Sequence, residues 1–91
     1  MDKTEFESQL KSGGWADPVS VQREGGDFTG DHQHPFHARA LITAGEITIE
    51  VAGHPTTYCA GDIFDLPVGT PHMETVGPQG VTYYVGRRVE S

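Results

Sequence analysis

The 91-residue sequence has little cysteine, few basic residues and no long apolar run, and each shortage excludes a class of protein. A single cysteine, Cys59, cannot form an internal disulfide framework. Six basic residues against 13 acidic ones argue against nucleic acid or a membrane surface as a partner, since both are bound through basic patches. No segment approaches the roughly 18 apolar residues of a membrane span, and the N-terminus is too polar for a signal peptide. We therefore expect a cytoplasmic protein.

Glycine and proline are abundant instead. The 12 glycines and 6 prolines separate short segments rich in β-branched and aromatic residues. Glu46–Val51 alternates polar and apolar residues, which predicts a half-buried strand. It follows Ala40–Thr43 across Ala44-Gly45, and we predict a hairpin there. Further turns or loops are predicted at residues 25–26, 52–55, 60–62, 67–71 and 77–80. Short strands at this spacing are typical of an all-β sandwich or barrel.

Only the N-terminal segment has a helical pattern. Thr4 and Glu7 fit a capping box, and Ser12-Gly13-Gly14 offers a stop. Phe6 and Leu10 are four residues apart and share a helix face. A helix of about two turns is unstable alone. We therefore expect it to dock Phe6 and Leu10 onto a larger body.

Three histidines are candidates for a metal site. His32-Gln33-His34 stands at the entrance to a predicted strand, where side chains two residues apart point to one side. His72 follows a loop rich in proline and glycine that constrains the backbone before it. Neutral imidazole is a good ligand for zinc, iron, copper and nickel. A pair of histidines alone is also compatible with a solvated surface, so the spacing of the surrounding residues matters.

That spacing resembles the two motifs of the cupin superfamily, G(x)5HxH(x)3–4E(x)6G and G(x)5PxG(x)2H(x)3N. Residues 26–45 contain a glycine, then the HxH pair after five residues, and a closing glycine. Residues 61–72 contain a glycine, then Pro67-Val68-Gly69 after five residues, and His72 after two more. The resemblance covers roughly residues 19–86.

The resemblance implies an all-β fold, a small antiparallel β-barrel of the jelly-roll type, with the short N-terminal helix added. The segment Gly77–Arg88 is similar to the end of small single-domain cupins. The implied organisation is a helical segment, residues 1–14, packed on a barrel of residues 15–91. The implied cofactor is one divalent transition metal: iron, manganese, zinc, nickel or copper. Carried over by position, its ligands are His32, His34 and His72.

The sequence departs from both motifs. Ala38 stands where the first motif has its glutamate, and Val76 stands where the second has its asparagine. His37 could replace the glutamate only if a bulge turned it inward. Glu74 shares the face of His72 on a regular strand. We predict Glu74 as a fourth ligand, a partner of a ligand or an acid/base group in catalysis, the alternative being a solvated carboxylate at the rim.

The residues around the first motif indicate a cavity. Ala38 and Ala40 share the parity of His34, and their small side chains would leave space beside the metal. Phe36 has the same parity and could form an apolar wall. Arg39 lies on the opposite face, where it would be solvated, pair with an acidic residue or contact a second subunit.

Two further residues are expected to carry no chemistry. Cys59 lies in an apolar segment and is predicted to be a buried, inert thiol. His54 lies in a predicted turn beside a proline and is predicted to be exposed.

The function predicted from these features is a metal-binding cupin that binds or transforms a small organic molecule at a three-histidine site. The resemblance allows oxygenase or isomerase chemistry. The alternatives are a non-catalytic ligand- or metal-sensing module and a structural barrel without metal. Because the barrel is small, we expect a homodimer, to which a strand such as Thr82–Val85 could contribute.

Overall fold

The computed structural model describes residues 2–89. Residues 1, 90 and 91, the outer ends of the two predicted segments, lie outside the described residues. One helix precedes six strands: α1 (Lys3–Ser12), β1 (Val19–Arg23), β2 (Phe28–His32), β3 (His37–Val51), β4 (His54–Cys59), β5 (Ile63–Leu66) and β6 (His72–Arg88). No helix among residues 2–89 is long and apolar enough to cross a membrane.

Two long antiparallel strands, β3 and β6, form the centre of the sheet. On its other side, β6 pairs first with β2 and then with β1, while β3 pairs first with β5 and then with β4. Every pairing is antiparallel. This arrangement confirms the predicted small antiparallel β-barrel with a short N-terminal helix.

The core lies between the inner faces of these strands. Its buried residues belong to β3, β5 and β6 and recur mostly at every second position, as a pleated strand with one face toward the core requires. They are Ala38, Ala40, Ile42, Ile47, Ile49, Phe64, Leu66, Val76, Val81 and Val85. Packing between the two halves of β3 and β6 therefore holds the barrel closed.

The predicted hairpin at Ala44-Gly45 is wrong. β3 continues through both residues, and its pairing with β6 shifts register on either side of them. Gly45 has a φ of 74°, and a Cβ on it would overlap the carbonyl oxygen of Gly80. The glycine therefore marks a β-bulge, because the partner strand continues across this point and leaves no room for a chain reversal.

The predicted loop at residues 77–80 is also wrong, since it lies within β6. Ile47 pairs with Val76 and Gly45 with Val81, so β6 holds extra residues opposite β3. The turn between β1 and β2 forms backbone hydrogen bonds with residues that flank this bulge in β6. Gly26 N–H donates to the carbonyl oxygens of residues 76 and 77, and Val76 N–H donates to Asp27 O at 2.8 Å. These backbone bonds keep the segment in the sheet despite its glycines and proline.

The helix begins earlier than predicted. Asp2, not Thr4, is the N-cap, and its Oδ1 accepts a hydrogen bond from Glu5 N–H at 2.8 Å. Asp2 has the extended backbone that an N-cap needs, whereas Thr4 already lies in the first turn. The predicted stop is confirmed, since the helix ends at Ser12 and Gly13 caps it.

The predicted docking of the helix is confirmed. Phe6 and Leu10 are almost fully buried and form a second small core with Leu41 of β3. Trp15 and Tyr84 pack against the same cluster. The helix thus covers the outer face of the barrel, on the side opposite the main core.

Two predictions about the barrel's surface have opposite outcomes. His54 is exposed, as predicted, although it begins β4. Cys59 is exposed and not buried. Its strand, β4, pairs only with β3 among the described strands and is solvated along most of its length. Apolar character in the sequence did not distinguish this edge strand from a core strand.

The strand predicted to contribute to a dimer lies inside the sheet. Thr82–Val85 pairs with β1 on one side and β3 on the other, and Val85 is part of the core. Its backbone has no free edge to offer a second copy, so only its side chains are available to contribute to a dimer.

We predict that Gly45→Ala destabilises the protein more than Gly53→Ala. Both glycines have φ near 75–80°, where an added side chain costs about 1–2 kcal/mol. A Cβ at residue 53 meets nothing within 4 Å, whereas one at residue 45 meets the backbone of β6. The overlap adds about 1–3 kcal/mol. Urea unfolding measures both values, and equal losses would contradict the assignment of a tight bulge.

Candidate metal centre

The structure brings the three predicted histidines together at one end of the barrel. His32 ends β2 and pairs in register with His72, the first residue of β6. His34 lies in the connection from β2 to β3. The HxH pair is therefore not on a regular strand, which differs from the prediction. One ring nitrogen from each histidine can be chosen so that all three lie within 4.8 Å of one another. The cluster therefore has the spacing of a metal site.

Two of the imidazoles are oriented by the same backbone contact. His32 Nδ1 lies 2.8 Å from Gly30 O, and His72 Nδ1 lies 2.9 Å from Thr70 O. A carbonyl oxygen can only accept, so each Nδ1 carries the proton and donates. Each Nε2 is then left with a lone pair directed into the cluster. Contacts of this kind set the tautomer of metal-binding histidines.

Glu74 lies at the point where these lone pairs converge. Its Oε2 is 3.0 Å from His72 Nε2 and 3.2 Å from His32 Nε2. The residue is only 8% exposed, so the alternative of a solvated rim carboxylate is wrong. As predicted, Glu74 and His72 share a face of β6, and the strand carries both into the barrel.

These donors fit a divalent transition metal. Two imidazole lone pairs facing a carboxylate oxygen repel it unless a metal ion lies between them or the imidazoles are protonated and donate to it. Atoms bound to one ion at about 2.0–2.2 Å lie about 3 Å apart when they are neighbours in its coordination sphere. The distances from Glu74 Oε2 to the two Nε2 atoms match that separation. Glu74 Oε2 and the Nε2 atoms of His32 and His72 thus have the spacing of neighbouring ligands, and His34 belongs to the same histidine cluster.

Arg23 compensates the buried charge of Glu74. Its guanidinium forms an ion pair with Glu74 Oε1, donates to Thr29 Oγ1 at 2.7 Å, and pairs with Asp27 Oδ2 at 3.1 Å. A buried carboxylate without such a partner would be strongly destabilising. Arg23 is a site residue that the sequence motifs do not reveal. The signal was its parity with Val21 on β1, which directs both side chains inward.

The surroundings of the ligand candidate His34 favour its neutral form. Burial lowers the pKa of His34, and the neighbouring imidazoles of His72 and His32 lower it further. Its ring stacks on Phe36 at 4.8 Å between centroids. The neutral imidazole favoured by these contacts is the form that binds metals.

His37, the other candidate for the missing ligand, is not part of the cluster. Its Nε2 lies 2.5 Å from Asp65 Oδ1, and its ring packs edge-on against Trp15. Arg39 pairs with the same carboxylate, one of the alternatives foreseen for it. The strand is regular at this point and leaves both side chains on the outer face, since no bulge reverses their parity.

A small cavity of about 90 Å³ adjoins the cluster. Phe36 forms part of its wall and Ala38 leaves space in it, as predicted, whereas Ala40 belongs to the closed core. The remaining apolar lining is Val21, Phe64, Leu66 and Val85. Its polar lining is His34, Glu74, Tyr83 and Arg87. Burial raises the pKa of Tyr83, and the charge of Glu74 adds to the effect. A mostly apolar pocket with a few convergent polar groups suits a small organic ligand.

No protein-family model matches this chain, and no curated protein matches its sequence. Solved structures do match its fold. An RmlC-like cupin from Shewanella frigidimarina has a TM-score of 0.70 at 22% identity, over 81% of this chain and 66% of that one. The polyketide cyclase RemF from Streptomyces resistomycificus has a TM-score of 0.71 at 19% identity, over 81% and 54%. The DMSP lyase DddQ from Ruegeria pomeroyi has a TM-score of 0.71 at 28% identity, over 80% and 38%.

These similarities show that the chain has the cupin fold. The matched region spans 66% of the Shewanella protein and smaller shares of the other two, less than two thirds of each chain. Sequence identities this low show a shared fold and not a shared function.

We predict that Arg23→Met destabilises the metal-free protein by about 3 kcal/mol, because it leaves Glu74 buried without its guanidinium partner. The matched control is Arg39→Met. Its pair with Asp65 is more exposed than the Arg23–Glu74 pair and should contribute less than about 1 kcal/mol.

Urea unfolding in EDTA measures both variants. Arg23→Met/Glu74→Gln should recover part of the loss, since it also removes the buried charge. Equal losses in the free energy of unfolding for the two arginine variants would show that the Arg23–Glu74 pair stabilises the protein no more than the Arg39–Asp65 pair does.

Proposed function

We propose that this cupin-fold domain binds one divalent transition metal through His32, His34, His72 and Glu74. We further propose that it binds a small organic molecule in the adjoining cavity. The observation that carries the proposal is the convergence of two imidazole Nε2 atoms on one buried carboxylate oxygen. Three imidazoles and a carboxylate suit zinc, iron, manganese, nickel or copper.

The chain's own residues prepare this site in three ways: through two backbone carbonyls, one ion pair and the apolar walls of the cavity. The carbonyl oxygens of Gly30 and Thr70 hold two ligands in the metal-binding tautomer. Arg23 holds the Glu74 carboxylate in place by its ion pair. When bound, the metal supplies a Lewis-acidic centre at the edge of the cavity. The apolar walls restrict water beside it.

The same geometry serves either an enzyme or a non-catalytic sensing module. Two of the structures with this fold, RemF and DddQ, carry enzyme names, a polyketide cyclase and a DMSP lyase. In an enzyme, Glu74 is the group placed to accept or return a proton at the metal's edge, because it is the cavity's carboxylate. Turnover of a bound molecule by the metal-loaded protein distinguishes the enzyme from the sensing module.

We predict one metal ion per chain, and at least about 100-fold weaker metal binding in His72→Ala. Loss of an indirect partner of a ligand already costs 10–100-fold, so loss of a direct ligand costs at least as much. Glu74→Gln should also weaken binding, because an amide oxygen carries no charge. His54→Ala is the control, since that imidazole is exposed and outside the cluster.

Elemental analysis of untagged protein identifies the metal, and calorimetric titration of EDTA-treated protein with that metal measures affinity. Absence of stoichiometric metal, with His72→Ala titrating like the unaltered protein, would overturn the proposal in favour of a barrel without metal.

We also propose that the domain forms a homodimer. The outer edge of β1 has no strand partner among residues 2–89, and Val19 on it is 48% exposed. An open apolar edge of this kind is commonly covered in proteins. We predict a mass by light scattering of about twice 9.9 kDa at micromolar concentration. A mass close to 9.9 kDa would refute the dimer.

A further inference from the structure

Arg87 lies at the end of an otherwise apolar row on the inner face of β6. Val81, Tyr83, Val85 and Arg87 alternate along this part of the strand, so all four side chains point to the same side. The Arg87 guanidinium carbon lies 5.1 Å from the centroid of the Phe36 ring. Both residues line the cavity and also a shallow groove outside it. Arg87 therefore lies at the mouth of the cavity.

This arginine has no carboxylate partner among residues 2–89. Arg23 and Arg39 each form ion pairs with acidic side chains, whereas Arg87 forms none in this part of the chain. The contrast is informative because acidic residues outnumber basic ones by about two to one. The one carboxylate in the cavity, Glu74, is already paired with Arg23. The positive charge of Arg87 is thus left for another anion.

Ala38 explains why the charge is unmatched. It is the direct partner of Arg87 in the antiparallel pairing of β3 with β6. Opposite residues in such a pair have Cβ atoms about 5 Å apart on one face. A glutamate at position 38 would therefore face the guanidinium and fill the space before it. The alanine leaves both a vacant volume and a solvent-exposed guanidinium without an acidic partner among residues 2–89.

We propose that the cavity binds a small monocarboxylate whose carboxylate group is held by Arg87 and whose short apolar chain lies against Phe36 and Leu66. A guanidinium offers paired N–H donors that match the two oxygens of a carboxylate. The proposal rests on the proposed function in taking this molecule as the site's ligand. The contact with Arg87 does not itself require the metal.

The size of the cavity limits the apolar part of the ligand. Its volume of about 90 Å³ equals roughly the share of three water molecules in the liquid, which corresponds to about three carbon atoms. Tyr83 adds a polar group to the wall, and its raised pKa keeps the hydroxyl protonated as a donor. Isobutyrate, with three carbons beyond its carboxylate, is a suitable probe.

The test compares isobutyrate with isobutyramide, which has the same shape without the charge. Titrations followed by amide chemical shifts are run on the EDTA-treated and on the metal-loaded protein. We expect isobutyrate to bind at least 10-fold more tightly than isobutyramide in both. Arg87→Met should weaken isobutyrate binding about 10- to 100-fold. Arg87→Lys should restore part of it, and the control Arg39→Met should leave it unchanged.

A second variant tests the role of the space opposite Arg87. Ala38→Glu supplies an internal counter-ion and fills the volume, so it should abolish isobutyrate binding. His72→Ala should lose the metal and still bind isobutyrate.

The outcomes separate this proposal from the metal site. Equal affinities for acid and amide, or isobutyrate binding that survives Arg87→Met, would overturn it even if metal binds. Binding that needs the metal but not Arg87 would assign the carboxylate to the metal instead and equally overturn it. Arg87-dependent binding in a protein that takes up no metal would support it while refuting the metal site.

Discussion

The candidate site depends on one buried carboxylate held between opposite kinds of partner. Glu74 contacts a guanidinium through one oxygen and two imidazole nitrogens through the other. Burial of an uncompensated carboxylate would be prohibitively unfavourable, so Arg23 determines that the charge can be there at all. The imidazole side is suited to a metal ion, because both Nδ1 atoms contact backbone carbonyls and both Nε2 atoms face the carboxylate. The Arg23–Glu74 ion pair allows the carboxylate to be buried, and the histidines place three candidate metal ligands beside it.

One strand organises most of this chemistry. β6 begins with His72, carries Glu74 two residues later, and ends beside the cavity with Tyr83 and Arg87. These groups face the same interior because the bulge at residues 77–80 preserves the inward direction of the second half of the strand. The bulge at Gly45 lies on β3 directly opposite the bulge in β6, so the two paired strands are irregular at the same place. The irregularities of the sheet therefore position the site, and they are not defects in it.

The docked helix follows from local spacing, and the histidine cluster follows from the resemblance of two short motifs to those of the cupin superfamily. The wrong predictions have one common cause. Gly45 and residues 77–80 have the composition of turns, but their partner strands continue past them, which a single segment cannot reveal. Cys59 has apolar neighbours but lies on an edge strand. Arg23 was missed because its partner is 51 residues away in the chain.

Side-chain parity and the spacing of turn residues already predict strands with one buried face in an all-β sandwich or barrel, and the motif resemblance predicts which three imidazoles could meet. These properties depend on side-chain parity and on spacing within short segments. Only the tertiary structure decided that Glu74 is buried, that Arg23 compensates it, and that Ala38 faces an arginine without a carboxylate partner among residues 2–89. Burial and charge pairing depend on which strands become neighbours, and that is settled when the whole chain folds.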